Sequence, residues 1–232
     1  MKKYRLAAAF FVLVSIAARP GNNVCEAFFA TDKGSKWEMT NYDEKDKVMS
    51  RSAGEVIDVQ ETGDGIETKL HVITYDNKDK TLHEGDLLMR CDDAGFHMDM
   101  SGMFPAQMTQ QGMENATMEI SGEFMDFPSN LSVGMALPDV ESTMTISMGG
   151  FSMSNKIMIT NRKIEARESV TTPAGTFDCF KMSDDVSVTT MGITNTSHGV
   201  SWYAYGVGAV KTEGYDKKGK LQSKSILTKF EK

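Results

Sequence analysis

Methionine and histidine are the residues of this sequence with the most chemical potential. There are eighteen methionines, and the densest run is His97-Met98-Asp99-Met100-Ser101-Gly102-Met103. Thioether sulfur is a soft ligand that suits Cu(I). On a strand, Met98 and Met100 would share a face, as a common site requires, while His97 would point the other way. Met98, Met100 and Met103 are therefore the candidate metal ligands of a Cu(I)-binding protein. The competing reading is packing, because methionine fills irregular cores, and Met144, Met148, Met153 and Met158 are spread through apolar, strand-like stretches.

Catalytic chemistry has no comparable signal. Gly150-Phe151-Ser152-Met153-Ser154 lacks the second glycine of a nucleophile elbow. There is no His-Glu-x-x-His helix, phosphate loop or dinucleotide fingerprint. His71, His83, His97 and His198 are scattered, and no Cys/His group has zinc spacing. Asp92-Asp93 and Asp184-Asp185 read as solvated turn carboxylates. An enzyme would need these acids and histidines to meet in a cleft; the sequence gives no catalytic residue and implies no cofactor.

A second chemistry is the binding of a hydrophobic molecule. Between Pro105 and Asp139 the alternation of the flanking segments breaks down. Gln107–Ala116 suits a short helix or an irregular crossing, and Asp126–Leu131 and Leu137-Pro138-Asp139 are loop-like. A covering segment over a half-open β-barrel makes a natural cavity, and adaptable thioethers tolerate varied ligands. The candidate lining is Phe104, Met108, Met113, Phe124, Met125, Phe127 and Leu131. A plain core beneath the same segment is the competing reading.

The elements that would position these groups are strands. Tyr42-Asp43-Glu44-Lys45-Asp46-Lys47, Tyr75-Asp76-Asn77-Lys78-Asp79-Lys80 and Tyr215-Asp216-Lys217-Lys218-Gly219-Lys220 repeat one pattern. Each has an Asp that can fold back on the backbone, then a residue tolerant of positive φ, which predicts three hairpin tips. Ile66 to Tyr75 alternates apolar and polar residues, a half-buried strand. Lys36–Phe104 and Thr143–Phe230 each read as an antiparallel meander. Either alone would leave long unpaired edges, so the expectation is one all-β domain: a curved sheet or half-open barrel with a crossing segment near 105–139.

Lys2, Lys3 and Arg5 followed by the apolar run Leu6–Ala18 form a signal-peptide pattern too short to span a bilayer. Cys25-Glu26-Ala27 fits the small-x-small rule, which puts residues 1–27 in the leader and 28–232 in the mature domain. Cleavage after Ala18 would leave Pro20 near the scissile bond, and Asn22-Asn23-Val24 is a poor lipobox for lipidation of Cys25. Loss of residues 1–27 removes four basic side chains (Lys2, Lys3, Arg5, Arg19) and Glu26, moving the formal charge from −7 to −10. That acidity argues against nucleic acid and anionic membrane surfaces as partners. The expected partners are a hydrophobic small molecule or an envelope protein, bound by a monomer with no transmembrane segment after cleavage. In an oxidising compartment Cys91 and Cys179 either pair or stay as separate buried thiols.

Glu168-Ser169-Val170-Thr171-Thr172-Pro173-Ala174-Gly175-Thr176-Phe177-Asp178-Cys179-Phe180-Lys181 resembles a hallmark segment of an exported bacterial family, the domain of unknown function 3108 and its TapB-like relatives. Trp202–Lys211 resembles a second hallmark, and Asp126–Asp139 its central loop. The resemblance implies a curved antiparallel sheet in the periplasm or envelope of a Gram-negative-type bacterium. It carries no assigned activity and no functional residues, and its likeness to lipoprotein-carrier half-barrels is one of shape. The expected role is thus non-enzymatic binding, with Cu(I) binding and a structural or protein-interaction module as the alternatives.

Overall fold

The computed structural model describes residues 29–63, 65–92, 95–99, 117–122, 127–128, 130–148 and 150–232. The leader expected over residues 1–27 lies outside them. Twelve strands are present: β1 Lys36–Asp43, β2 Val48–Glu61, β3 Gly65–Asp76, β4 Thr81–Asp92, β5 Gly95–Asp99, β6 Thr117–Gly122, β7 Val140–Met148, β8 Phe151–Thr172, β9 Gly175–Thr190, β10 Ile193–Ala204, β11 Gly208–Asp216 and β12 Leu221–Glu231. No helix occurs among the described residues.

All twelve strands belong to one antiparallel sheet in the order β5-β4-β3-β2-β1-β12-β11-β10-β9-β8-β7-β6. The two expected meanders are joined where β1 pairs with β12, from Lys36 opposite Glu231 to Asp43 opposite Ser223. That pairing removes the long edges that each half would otherwise expose.

The three recurrent turns form as their sequences require. Asp46, Asp79 and Gly219 take positive φ of 62°, 61° and 77°. In each tip one aspartate folds back: the Oδ1 atoms of Asp43, Asp76 and Asp216 accept backbone N–H bonds from the residues two and four positions on, at 2.7–2.9 Å. These bonds hold all three carboxyls below the ordinary aspartate range.

The sheet is strongly curled, and the core shows why. Val56, Leu70, Val72, Leu87, Met89 and Phe96 on β2–β5 join one buried cluster with Ile164, Phe180, Met182 and Tyr203 on β8–β10. These strands are far apart in the sheet order, so only curling brings their apolar faces together. A second cluster around Cys179, Trp202, Ala204, Val210 and Leu227 packs elsewhere, and Trp37 and Phe230 touch both.

Of the two readings of Cys91 and Cys179, pairing with each other is not the one that forms. Cys91 is disulfide-bonded, whereas Cys179 is a free, buried thiol. Cys91 on β4 packs in the first cluster, whereas Cys179 on β9 packs in the second, on the opposite face of its strand from Phe180 and Met182, so the two thiols point into different cores. Burial, with Asp178 and Glu168 nearby, pushes the Cys179 thiol up to about 11 and leaves it unreactive.

Candidate functional site

The curled sheet is spanned on the inside by the irregular segment 127–139, which belongs to the crossing expected from the sequence. At one end Phe127 bridges to β5: Phe96 N–H donates to Phe127 O at 2.8 Å and Phe127 N–H returns to Phe96 O at 3.1 Å. At the other end Gly134 N–H bonds Ile164 O (2.8 Å), Ile164 N–H bonds Met135 O (2.9 Å) and Leu137 N–H bonds Arg162 O (2.8 Å). The segment therefore clasps β5 to β8 across the interior.

A bulge in β8 builds the polar part of this site. Register with β9 jumps between Thr160 and Lys163, and Asn161 takes φ 53°. Asparagine tolerates that conformation, and here its Nδ2 donates to Asp185 Oδ2 at 2.8 Å. The bulge changes which residues face inward. Asn155 is buried before it, whereas Arg162 and Ile164 are buried after it. Arg162 is only 2% exposed; its Nη1 donates to Pro138 O at 2.9 Å, and its guanidinium stands 5.6 Å from the Phe127 ring centroid.

Around Arg162 the interior holds other polar groups. Asp184 on β9 is buried, and that desolvation raises its carboxyl above the ordinary range although Arg162 and His198 pull the other way. The neighbouring strand makes room for it with a glycine: a Cβ on Gly199 would stand 2.4 Å from Asp184 Oδ1. Tyr203 is tilted against Phe127 at 5.1 Å between ring centroids, and burial pushes its phenol up to about 12. A buried arginine, a buried carboxyl and a phenol beneath an apolar strap can orient the polar end of an amphiphile. They hold no activated nucleophile.

Of the residues expected to line a hydrophobic site, Phe127 is 2% exposed in the main core and Leu131 packs against that core while half-buried. Phe104, Met108, Met113, Phe124 and Met125 lie outside the described residues. Met98 is half-buried on β5 against the core; Met100 and Met103 lie outside the described residues.

The histidines are distributed rather than assembled. His71 Nδ1 is 2.9 Å from Asp86 Oδ1 and its Nε2 3.2 Å from Glu84 Oε1, so carboxylates occupy both ring nitrogens. The Asp86 hydrogen bond raises its pKa. His97 faces Asp92 at 3.5 Å, and His198 Nδ1 is 3.0 Å from Asp185 Oδ1. His83 is different: it is 1% exposed and neither ring nitrogen has a hydrogen-bond partner. Burial lowers its pKa. His83, Arg162 and Asp184 escaped the sequence reading. For Arg162 a signal exists: Ile157 and Ile159 alternate in one parity and Ile164 and Ala166 in the other, and such a switch inside a strand marks a bulge.

The comparisons with known proteins agree with this architecture. The model of the DUF3108-like family matches residues 32–227, and the chain belongs to that family. A crystal structure from Bacteroides fragilis, assigned as an exported protein with a YmcC-like fold, superposes with a TM-score of 0.72 at 28% identity, covering 90% of this chain and 100% of that one. A crystal structure from Parabacteroides distasonis, assigned as a lipoprotein, gives a TM-score of 0.73 at 25% identity, covering 88% and 99%. No curated protein matches the sequence.

Proposed function

We propose that this member of the DUF3108-like family is a non-catalytic binding protein of the bacterial envelope, exported to the periplasm, which holds a hydrophobic or amphiphilic molecule inside its curled sheet. The observation that carries the reading is the clasp. The interior between β2–β5 and β8–β10 is bridged by one irregular strap held by five backbone hydrogen bonds, with Phe127 as its apolar anchor. Displacing such a strap would expose a continuous apolar surface with Arg162, Asp184 and Tyr203 at its polar end. Exported and lipoprotein assignments of the two structural relatives support the location.

The test is native mass spectrometry of the protein purified from the periplasm without detergent or chelator. A bound mass that extracts into organic solvent is expected. A bare polypeptide mass overturns the reading, and a bound copper mass would shift it to the Met98, Met100 and Met103 sulfurs.

A further inference from the structure

The strand register places five hairpin tips at one end of the sheet. Asp43 lies opposite Ser223 and Ser50 opposite Asp76, so the β1–β2, β3–β4 and β11–β12 tips stand together. Ser197 lies opposite Asp216 and Asn155 opposite Thr190, which puts the β9–β10 and β7–β8 tips at the same end. β10 continues four residues past the Asp216 level to Ile193, roughly 13 Å of strand, and β8 continues a further four past the Asn155–Thr190 level to Phe151, so these two hairpins overhang the others in two steps.

This rim differs from the rest of the surface in two ways. Of the eight exposed large apolar side chains among the described residues, six are here: Val48, Met49, Leu82, Phe151, Met191 and Ile193. Phe151, Met191 and Ile193, on the overhanging tips, are 61%, 78% and 66% exposed. These two hairpins also lack charge: Ser142–Asn155 and Val186–Ser197 contain no Asp, Glu, Lys or Arg. Exposed hairpins ordinarily carry charge as protection against aggregation. Here the hydroxyls pair with each other across the strands instead, Thr145 with Ser154, Ser147 with Ser152, Ser187 with Thr196 and Thr189 with Thr194, at 2.7–3.1 Å. Paired hydroxyls cost less to take out of water than free ones.

The three shorter tips carry seven lysines against six carboxylates, a slight positive balance in an acidic chain. Their acids are already engaged: Asp43, Asp76 and Asp216 cap their own turns, Glu44 pairs with Lys220, Asp46 with Lys224, and Asp79 with Arg51. Lys45, Lys47, Lys78, Lys80, Lys217 and Lys218 are exposed and have no ion-pair partner among the described residues. The chain is acidic as a whole, yet the tips beside its exposed apolar side chains carry six exposed lysines that lack an ion-pair partner among the described residues.

We infer that this rim docks on an anionic lipid surface, with Phe151, Met191 and Ile193 entering the headgroup–acyl boundary and the six lysines lying at the phosphates. Free lysines match anionic headgroups, and uncharged, apolar-tipped hairpins match the interface beneath them. The apolar side chains stand on separate tips rather than forming one patch. A fluid plane accepts separate anchors, whereas a protein partner needs a contiguous packed core. This inference does not depend on what the interior binds, because the rim residues lie outside the clasp.

The test is flotation of the exported protein with vesicles of phosphatidylethanolamine and phosphatidylglycerol (3:1), against phosphatidylcholine alone. Flotation is expected with the anionic vesicles, weakening as salt is raised. F151S/M191S/I193S should reduce partitioning at least tenfold, as should changing the six lysines to glutamine, and neither change should alter the melting temperature. Phe151→Trp should show a blue-shifted emission on the anionic vesicles and none on phosphatidylcholine. No flotation of the unaltered protein, equal flotation on both vesicle types, or a triple-serine variant that floats like the parent each overturns the proposal.

Discussion

Phe127→Ala tests whether the strap is a structural clasp or a loosely laid cover. The side chain is 2% exposed and touches the Tyr203 ring and the Arg162 guanidinium. A buried phenylalanine removes about 150 Å² or more of apolar surface from water. At about 25 cal/mol per Å² that is roughly 4 kcal/mol, and a compact unfolded chain lowers it to about 3. The lost aromatic and cation–π contacts add about 1 kcal/mol. The expected loss is thus about 4 kcal/mol, within the range measured for large-to-small core changes. With a urea slope of about 2–3 kcal/mol/M, the midpoint should fall by roughly 1.5 M. Leu131→Ala, on the same strap but half-buried, should cost about 1 kcal/mol. A Phe127→Ala loss below about 1 kcal/mol would refute the clasp, because the ring would then be leaving an interior that closes without it.

Three further outcomes follow from the same geometry. Asp184 has a folded-state pKa raised by burial, so the unfolded chain ionises first: stability is unaffected well below the ordinary aspartate value and falls as pH rises from there through the folded pKa. Asp184→Asn should therefore raise the melting temperature at neutral pH by about 2–4 °C and change nothing near pH 3; an equal shift at both pH values would contradict the assignment. Gly199→Ala should cost about 1–3 kcal/mol because its Cβ meets Asp184 Oδ1, and much less in an Asp184→Ala background, a coupling that a double-mutant cycle in urea reads directly. Thiol titration of the exported protein should find one free cysteine, Cys179, reactive only after denaturation.

The parts legible in the sequence are those governed by local chemistry. Asp46, Asp79 and Gly219 announced their positive φ because few residues tolerate it. The strand alternation and the break near 105–139 carried the sheet and the strap. What the sequence hid depends on contacts between distant strands. The Cys91–Cys179 pairing looked available because both cysteines lie in strands, but cysteine count gives no position around a curled sheet. Asp184-Asp185 read as a solvated turn, yet it lies inside the long strand β9, where alternation buries Asp184 and leaves Asp185 beside His198. His83 stands on the inward face of an alternating strand, and alternation alone does not distinguish a buried histidine from a half-exposed one.

Two of the three segments that carry the family resemblance are architecture, and the third, Asp126–Asp139, contains the strap. Glu168–Lys181 is the β8–β9 hairpin, with Gly175 at φ 137°, and Trp202–Lys211 is the β10–β11 hairpin. The register sets Glu168 beside Cys179 and Cys179 beside Ala204. Trp202 donates its indole N–H to Glu168 Oε1 at 2.6 Å, and Lys181 and Lys211 stand over its ring. These contacts seal the second cluster, which buries Trp202, while Tyr203 on the opposite side of the sheet is buried in the first. A sheet covered on both faces tolerates little variation, so such segments advertise a fold more clearly than a function. Other features with functional potential have weaker signatures: a parity switch around Asn161, and hairpins notable only for their lack of charge. A family recognised through its β8–β11 hairpins can therefore keep one scaffold while the strap and the rim adapt to different ligands and surfaces.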